Sequence, residues 1–204
     1  MRLTILLSLL TAFLAAGCGS QKEAIKRYYV IESLNDTTIV SLDSLHQSDA
    51  WCEVDEVEVY PAFDTRRIVL RDNSHQVRYF GNHEWAVPPA DFLTPIIIDY
   101  LAESGTFARA AARFWERTPD YRLQTTIFNL EVVSSKRKTF EAHLNLKFDL
   151  IDIDTDAILL THSADRRSAL QERDLNLLAS EISLIFHEEL AAFAAKTQET
   201  LSKH

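Results

Sequence analysis

The sequence predicts an α+β fold: a two-layer sandwich in which a largely antiparallel sheet carries two long amphipathic helices on one face. Three observations predict it. Residues 88–105 and 174–196 each hold one apolar stripe at helical spacing, and residues 121–164 hold three alternating segments separated by turn formers. A one-striped helix needs something to cover, and a sheet with one apolar face needs a cover. Composition agrees, since 47% hydrophobic and 25% charged residues with only four glycines and five prolines suit a single ordered core.

The elements follow in chain order. Residues 1–17 read as a lipoprotein signal peptide: Arg2 supplies a charge, residues 3–15 are apolar, and Ala15, Ala16 and Gly17 precede Cys18. The apolar run is shorter than the roughly 20 residues of a membrane span, so export and cleavage are expected. The alternative is an ordinary signal peptide cut elsewhere. With cleavage before Cys18, its diacylated thiol (palmitate-type chains) anchors the protein, each buried CH₂ adding roughly 0.8 kcal/mol. Residues 18–26 form a polar tether, and 27–204 form the folded domain. Lipidation leaves Cys52 without an intrachain disulfide partner, as a small buried hydrophobe.

Residues 28–32, rich in aromatic and β-branched side chains, predict a first strand, while 33–49 carry no clear periodicity. Residues 51–63 predict a strand ended by Pro61, with a bulge where the alternation slips between Val54 and Val57. Residues 67–71 and 76–80 flank Asp72, Asn73, Ser74 and His75, which makes a hairpin. An aromatic corner at Trp85 leads into the helix around which the chain is organised. Pro88 and Pro89 suit its start and Gly105 its end, and Phe92, Leu93, Ile96, Ile97, Tyr100 and Leu101 form its stripe. Residues 106–114 predict a weak, alanine-rich strand. Long strands follow at 121–133, 139–153 and 157–164, with turns at 134–138 and 154–156. Asp174 caps the second helix, whose stripe includes Leu178, Ile182, Ile185, Phe186, Leu190 and Phe193.

Candidate chemistry is sparse. Asp152, Asp154 and Asp156 resemble the start of a calcium loop, but Ala157 stands where its turn needs Gly and Ser163 where it needs a bidentate Glu. His187-Glu188-Glu189 lacks the second His of a zinc-protease helix, and His187 reads as a helix-surface residue. His83 beside Glu84 could move protons, but no nucleophile, oxyanion donor or metal partner accompanies it. No catalytic residue, metal site or cofactor is therefore assigned. Arg66, Arg67, Arg71 and Arg78 gather on the hairpin, where they could meet lipid phosphates or an acidic partner, with Arg113 and Arg117 extending them. The plainer reading is a charged edge that blocks aggregation. The net charge of -9 argues against nucleic-acid binding.

Several blocks in order carry a resemblance: Tyr28-Tyr29-Val30-Ile31; Arg67-Ile68-Val69-Leu70-Arg71 with Gln76-Val77-Arg78-Tyr79; Glu84-Trp85-Ala86; Leu101-Ala102-Glu103-Ser104-Gly105; Asp120-Tyr121-Arg122-Leu123; and Leu150-Ile151-Asp152. With Cys18 they resemble the ABC-type transport auxiliary lipoproteins, the family of the PqiC/YmbA-like lipoproteins. The resemblance implies a non-catalytic accessory lipoprotein of a system using a mammalian-cell-entry (MCE) type periplasmic protein, PqiB-like, with its ABC transporter. It implies lipid attachment at Cys18 and leaves room for a homo-oligomer; Gly19 and Ser20, with no Asp after the cysteine, favour the outer membrane facing the periplasm in a Gram-negative host. Partner contact is expected at Arg67, Arg71, Arg78 and Trp85 and on the exposed sheet face. The competing expectations are a lipid-binding carrier, whose helices part from the sheet to hold an acyl chain, and a structural outer-membrane assembly lipoprotein.

Overall fold

A computed structural model describes residues 25–33, 48–72, 75–134 and 139–203. The expected signal peptide, Cys18, residues 34–47, Asn73 and Ser74 of the expected hairpin turn, and residues 135–138 of the turn expected at 134–138 lie outside the described residues.

The sheet is built on a three-strand antiparallel meander: β7 (Tyr121–Ser134), β8 (Phe140–Asp152) and β9 (Ala157–Leu170). On the other edge of β7, three short strands line up one after another, all parallel to it. They are β2 (Trp51–Val54) at its start, β3 (Glu58–Val59) at its middle and β4 (Arg67–Arg71) at its end. The sheet forks from there. Beyond β2 lies β6 (Arg109–Ala111), paired in parallel; beyond β4 lie β5 (Val77–Trp85), antiparallel, and β1 (Arg27–Tyr29), parallel to β5. The long ladders are thus antiparallel, as expected, and the parallel pairings are short.

Helix α1 (Pro89–Glu103) has Pro88 as its N-cap residue and Pro89 in its first turn, where a missing N–H costs nothing. It ends at Gly105, whose φ of 66° is open to glycine without the Cβ clash other residues meet. Helix α2 (Leu175–Leu201) is capped by the Asp174 carboxylate, which accepts from the Asn176 N–H, and runs five residues past the expected end. Both stripes face one core. Leu93, Ile96, Ile97 and Leu101 of α1 and Leu178, Ile182, Phe186, Leu190 and Phe193 of α2 meet Leu123, Ile127, Leu144, Leu146, Phe148 and Leu150 of the sheet. Phe148 sits with its ring centroid 5.1 Å from Phe193 and 6.2 Å from Phe186. Each such side chain contributes roughly 1.5–3 kcal/mol on burial. Among the described residues this core begins at Tyr29, so a chain starting at residue 18 retains it.

Where the structure departs from expectation, the causes are local. The strand expected over 51–63 splits into β2 and β3: Val54 faces Leu123 and Glu58 faces Thr126, so four steps (58−54) meet three (126−123). This is the expected extra residue, and the slack is pinned by the Val57 N–H donating to Thr94 Oγ1 of α1 at 3.0 Å. The strand expected over 106–114 shrinks to β6, because only Trp51, Cys52 and Glu53 are there to pair it. The first strand stops at Tyr29 instead of residue 32. Strand β9 instead runs on to Leu170 through Asp165, Arg166 and Arg167, since β8 offers a partner that far and Arg166 finds Glu188 and Glu189 on α2. At the 153–156 turn, Asp152 Oδ1 accepts from the Thr155 N–H and hydroxyl at 2.8 and 2.7 Å, the turn expected there.

Candidate functional site

The residues expected to meet a partner separate into surface and interior. Tyr28 pairs with Glu84 and Glu84 with Arg67, which sets the three in one row across β1, β5 and β4. Their neighbours Tyr29 and Trp85 point the other way into the core, so the row faces away from the helices. On that outer face the Arg67 guanidinium lies 3.9 Å from the Tyr79 ring centroid and Arg66 lies 5.4 Å from that of Tyr28. Lys26 Nζ meets Glu84 Oε1 at 2.7 Å, and that hydrogen bond holds the Glu84 carboxyl below its ordinary value. Arg78 pairs with Asp72 on the hairpin.

Trp85 is not a surface corner. It is 1% exposed, because it ends β5 opposite Tyr29 on the inner face and packs edge-on to Phe92 of α1 at 5.8 Å. Arg71 is also committed, its Nε lying 2.9 Å from both oxygens of the buried Glu131 carboxylate. Nor do Arg113 and Arg117 extend the hairpin arginines. They lie by β2 and β6 at the start of β7, ten residues from the level where Val69 of β4 meets Glu131 (131−121), roughly 30 Å along the strand.

That far end forms a second surface which sequence reasoning missed: the strand expected there took in Arg109 and Phe114, and Trp115 just beyond it was given no role. Trp51 and Phe114 pack at 4.9 Å, Arg109 and Arg117 lie 4.6 and 4.5 Å from the Trp51 ring, and Trp115 stands 84% exposed with Arg113 5.4 Å from its ring. Arg109 and Arg117 pair with Glu116 and Asp120, and the Asp120 carboxylate accepts from the Trp51 N–H, tying the loop back to β2. The signal was present in the sequence as Arg113-Phe114-Trp115-Glu116-Arg117, in which two adjacent aromatics break the alternation of a strand.

Titratable groups elsewhere are structural. Glu131 is 1% exposed and joins Arg71 of β4 to His143 of β8, whose Nδ1 lies 3.1 Å from Glu131 and whose Nε2 lies 2.8 Å from Asp165 of β9. Burial pushes the Glu131 carboxyl up, but hydrogen bonds from His143 and Arg71 more than offset this, and its pKa falls below the ordinary value. His162 of β9 bridges Glu189 at 2.8 Å and Lys196 at 2.9 Å on α2. His187, expected on the helix surface, is instead buried, with Nδ1 2.8 Å from the Ser183 carbonyl one turn back on α2. His83 Nδ1 meets the Tyr29 hydroxyl at 2.7 Å.

Burial also pushes the Cys52 thiol up, so it carries little reactive thiolate. In the native Cys18→Ser chain it is expected to stay unmodified by a thiol-specific disulfide reagent until denaturant is added; prompt reaction of the folded protein would contradict the burial.

Among the described residues no group of three or more His, Cys, Asp or Glu side chains could hold a metal ion, and no helix is long and apolar enough to cross a membrane. A groove of about 280 Å³ runs between β1 and α2, lined by Tyr28, Val30, Glu32, Asn176, Ser180 and Ser183 among others. It is shallow and half polar, below the roughly 300–1,000 Å³ of small-molecule sites.

No curated protein is a significant sequence match. A crystal structure of a Xanthomonas campestris protein shares the fold at a TM-score of 0.69 with 15% identity, covering 88% of this chain and 95% of that one. A second crystal structure, of an uncharacterised protein, aligns at a TM-score of 0.61 with 14% identity over 75% of this chain and 95% of its own. At these identities the likeness concerns the fold alone. The family model described as "ABC-type transport auxiliary lipoprotein component" matches residues 34–182, the span from before β2 into α2. The chain belongs to the ABC-type transport auxiliary lipoprotein component family, whose members are envelope lipoproteins serving ABC transport systems.

Proposed function

We propose that this lipoprotein is a non-catalytic docking component that holds an MCE-type periplasmic protein and its ABC transporter at the outer membrane, anchored through acyl chains on Cys18. The observation that carries the reading is the placement of two exposed surfaces on opposite ends of a filled core. The chain arrives at β1 beside the Tyr28 and Arg67 row, and Trp115 projects some 30 Å away at the start of β7. A rigid body with an anchor at one end and an exposed tryptophan at the other suits a spacer between a membrane and a partner. Tryptophan flanked by arginine is the chemistry enriched at protein–protein hot spots. Of the four residues expected at the partner interface, Arg71 and Trp85 support the fold, and partner contact moves to the Trp115 loop.

The test is a photo-crosslinking residue in place of Trp115 in living cells, with Cys18→Ser as the anchor control. The expected product is an adduct with an MCE-type protein that is lost when Cys18 is replaced. Absence of that adduct, together with phospholipid recovered at near one-to-one from the purified protein, would replace docking with the carrier function. The filled core counts against that outcome.

A further inference from the structure

We propose that the outer face of β1, β5 and β4 is a second membrane contact, seated on an anionic phospholipid surface and independent of the acyl chains. The covalent chain sets the distance. Ile25, 84% exposed, is seven residues from Cys18 (25−18), which at most roughly 3.5 Å per residue keeps it within about 25 Å of the anchor. The face that meets the chain there is unlike the rest of this acidic molecule, whose net charge is -9. It presents the cations Lys26, Arg66 and Arg67 against the single carboxylate Glu84 of the row, with exposed Tyr28 and Tyr79 between them.

The arrangement suits a headgroup layer. Tyrosine has an apolar body and a polar tip and is favoured at the depth where lipid meets water. Arg66 and Arg67 lie against the Tyr28 and Tyr79 rings, which limits their rotamers before any phosphate binds. Arg67 makes no ion pair among the described residues, so its planar fork is available for bidentate phosphate contact. The Trp115 loop differs here: it sets two carboxylates, Glu116 and Asp120, against Arg109, Arg113 and Arg117, whereas the β1–β5–β4 face sets the single carboxylate of Glu84 against Lys26, Arg66 and Arg67. The lipid surface is therefore assigned to the β1–β5–β4 face and not to the loop.

The proposal rests on the Cys18 anchor for proximity only, and its test omits the acyl chains and the transport partner, so its failure is distinct from failure of the docking function. The chain from residue 18, carrying Cys18→Ser, is sedimented with phosphatidylcholine vesicles with and without phosphatidylglycerol. Partition is expected only with the anionic vesicles, weakening as salt rises. Arg67→Gln and Lys26→Gln should each lower it about fivefold, whereas Arg113→Gln should leave it unchanged. No partition, equal partition with neutral vesicles, insensitivity to Arg67→Gln and Lys26→Gln, or an equal loss with Arg113→Gln would each overturn the proposal.

Discussion

Glu131→Ala should destabilise the protein by about 3–5 kcal/mol, measured as a lower urea midpoint at unchanged slope, because it strands the partly buried Arg71 guanidinium and the buried His143. Removing the carboxylate takes away at once the partner of Arg71 Nε and the partner of His143 Nδ1. The same group gives an acid-sensitive component of stability. Its folded pKa lies below the ordinary 4.5, so its contribution is fully present above that value and is lost as pH falls through the folded pKa. Glu131→Gln, which keeps the shape, should cost less at neutral pH and should flatten the acid limb of a stability–pH curve. A Glu131→Ala protein as stable as the parent would show that the four-strand network contributes nothing.

Trp85→Ala is the second large effect, with an expected loss of about 3–5 kcal/mol from the cavity left between β5, β1 and α1. The result separates two roles for this residue. A surface contact would leave the urea midpoint where it is and weaken only partner capture; a core residue shifts the midpoint first. Trp115→Ala, by contrast, removes a side chain that is 84% exposed and should move the midpoint little.

The difference between these two tryptophans shows how far the sequence could be read. Signals that act within a turn or two were legible: Pro88, Pro89 and Gly105 bounded α1, Asp174 capped α2, and the alternation of residues 121–153 announced the long strands. Trp85 was not, because its burial depends on Tyr29 pairing with it across 56 residues (85−29), and a tryptophan among His83 and Glu84 looks like a surface corner. The Glu131 network hid for the opposite reason. Polar residues at alternate strand positions read as a solvated face, and nothing local shows that Arg71, His143 and Asp165 will close around the carboxylate. The sharing of one edge of β7 by β2, β3 and β4 is likewise a pairing choice among distant short segments, which periodicity does not encode.

That shared edge imposes an order of assembly. Strands β2, β3 and β4 precede β7 in the chain by tens of residues, yet each has β7 as its template, whereas β7, β8 and β9 are neighbours joined by short turns. Local hairpins close at low entropic cost, and distant segments gain nothing by ordering before their template exists. The C-terminal meander can therefore form first, and a nascent chain that has emerged only as far as residue 120 holds the β4–β5 hairpin and the β2–β6 pair but lacks the β7 edge that joins them. On the export route proposed for this lipoprotein, in which an open chain crosses a membrane, this order delays joining of the leading half into one sheet until the trailing half has arrived.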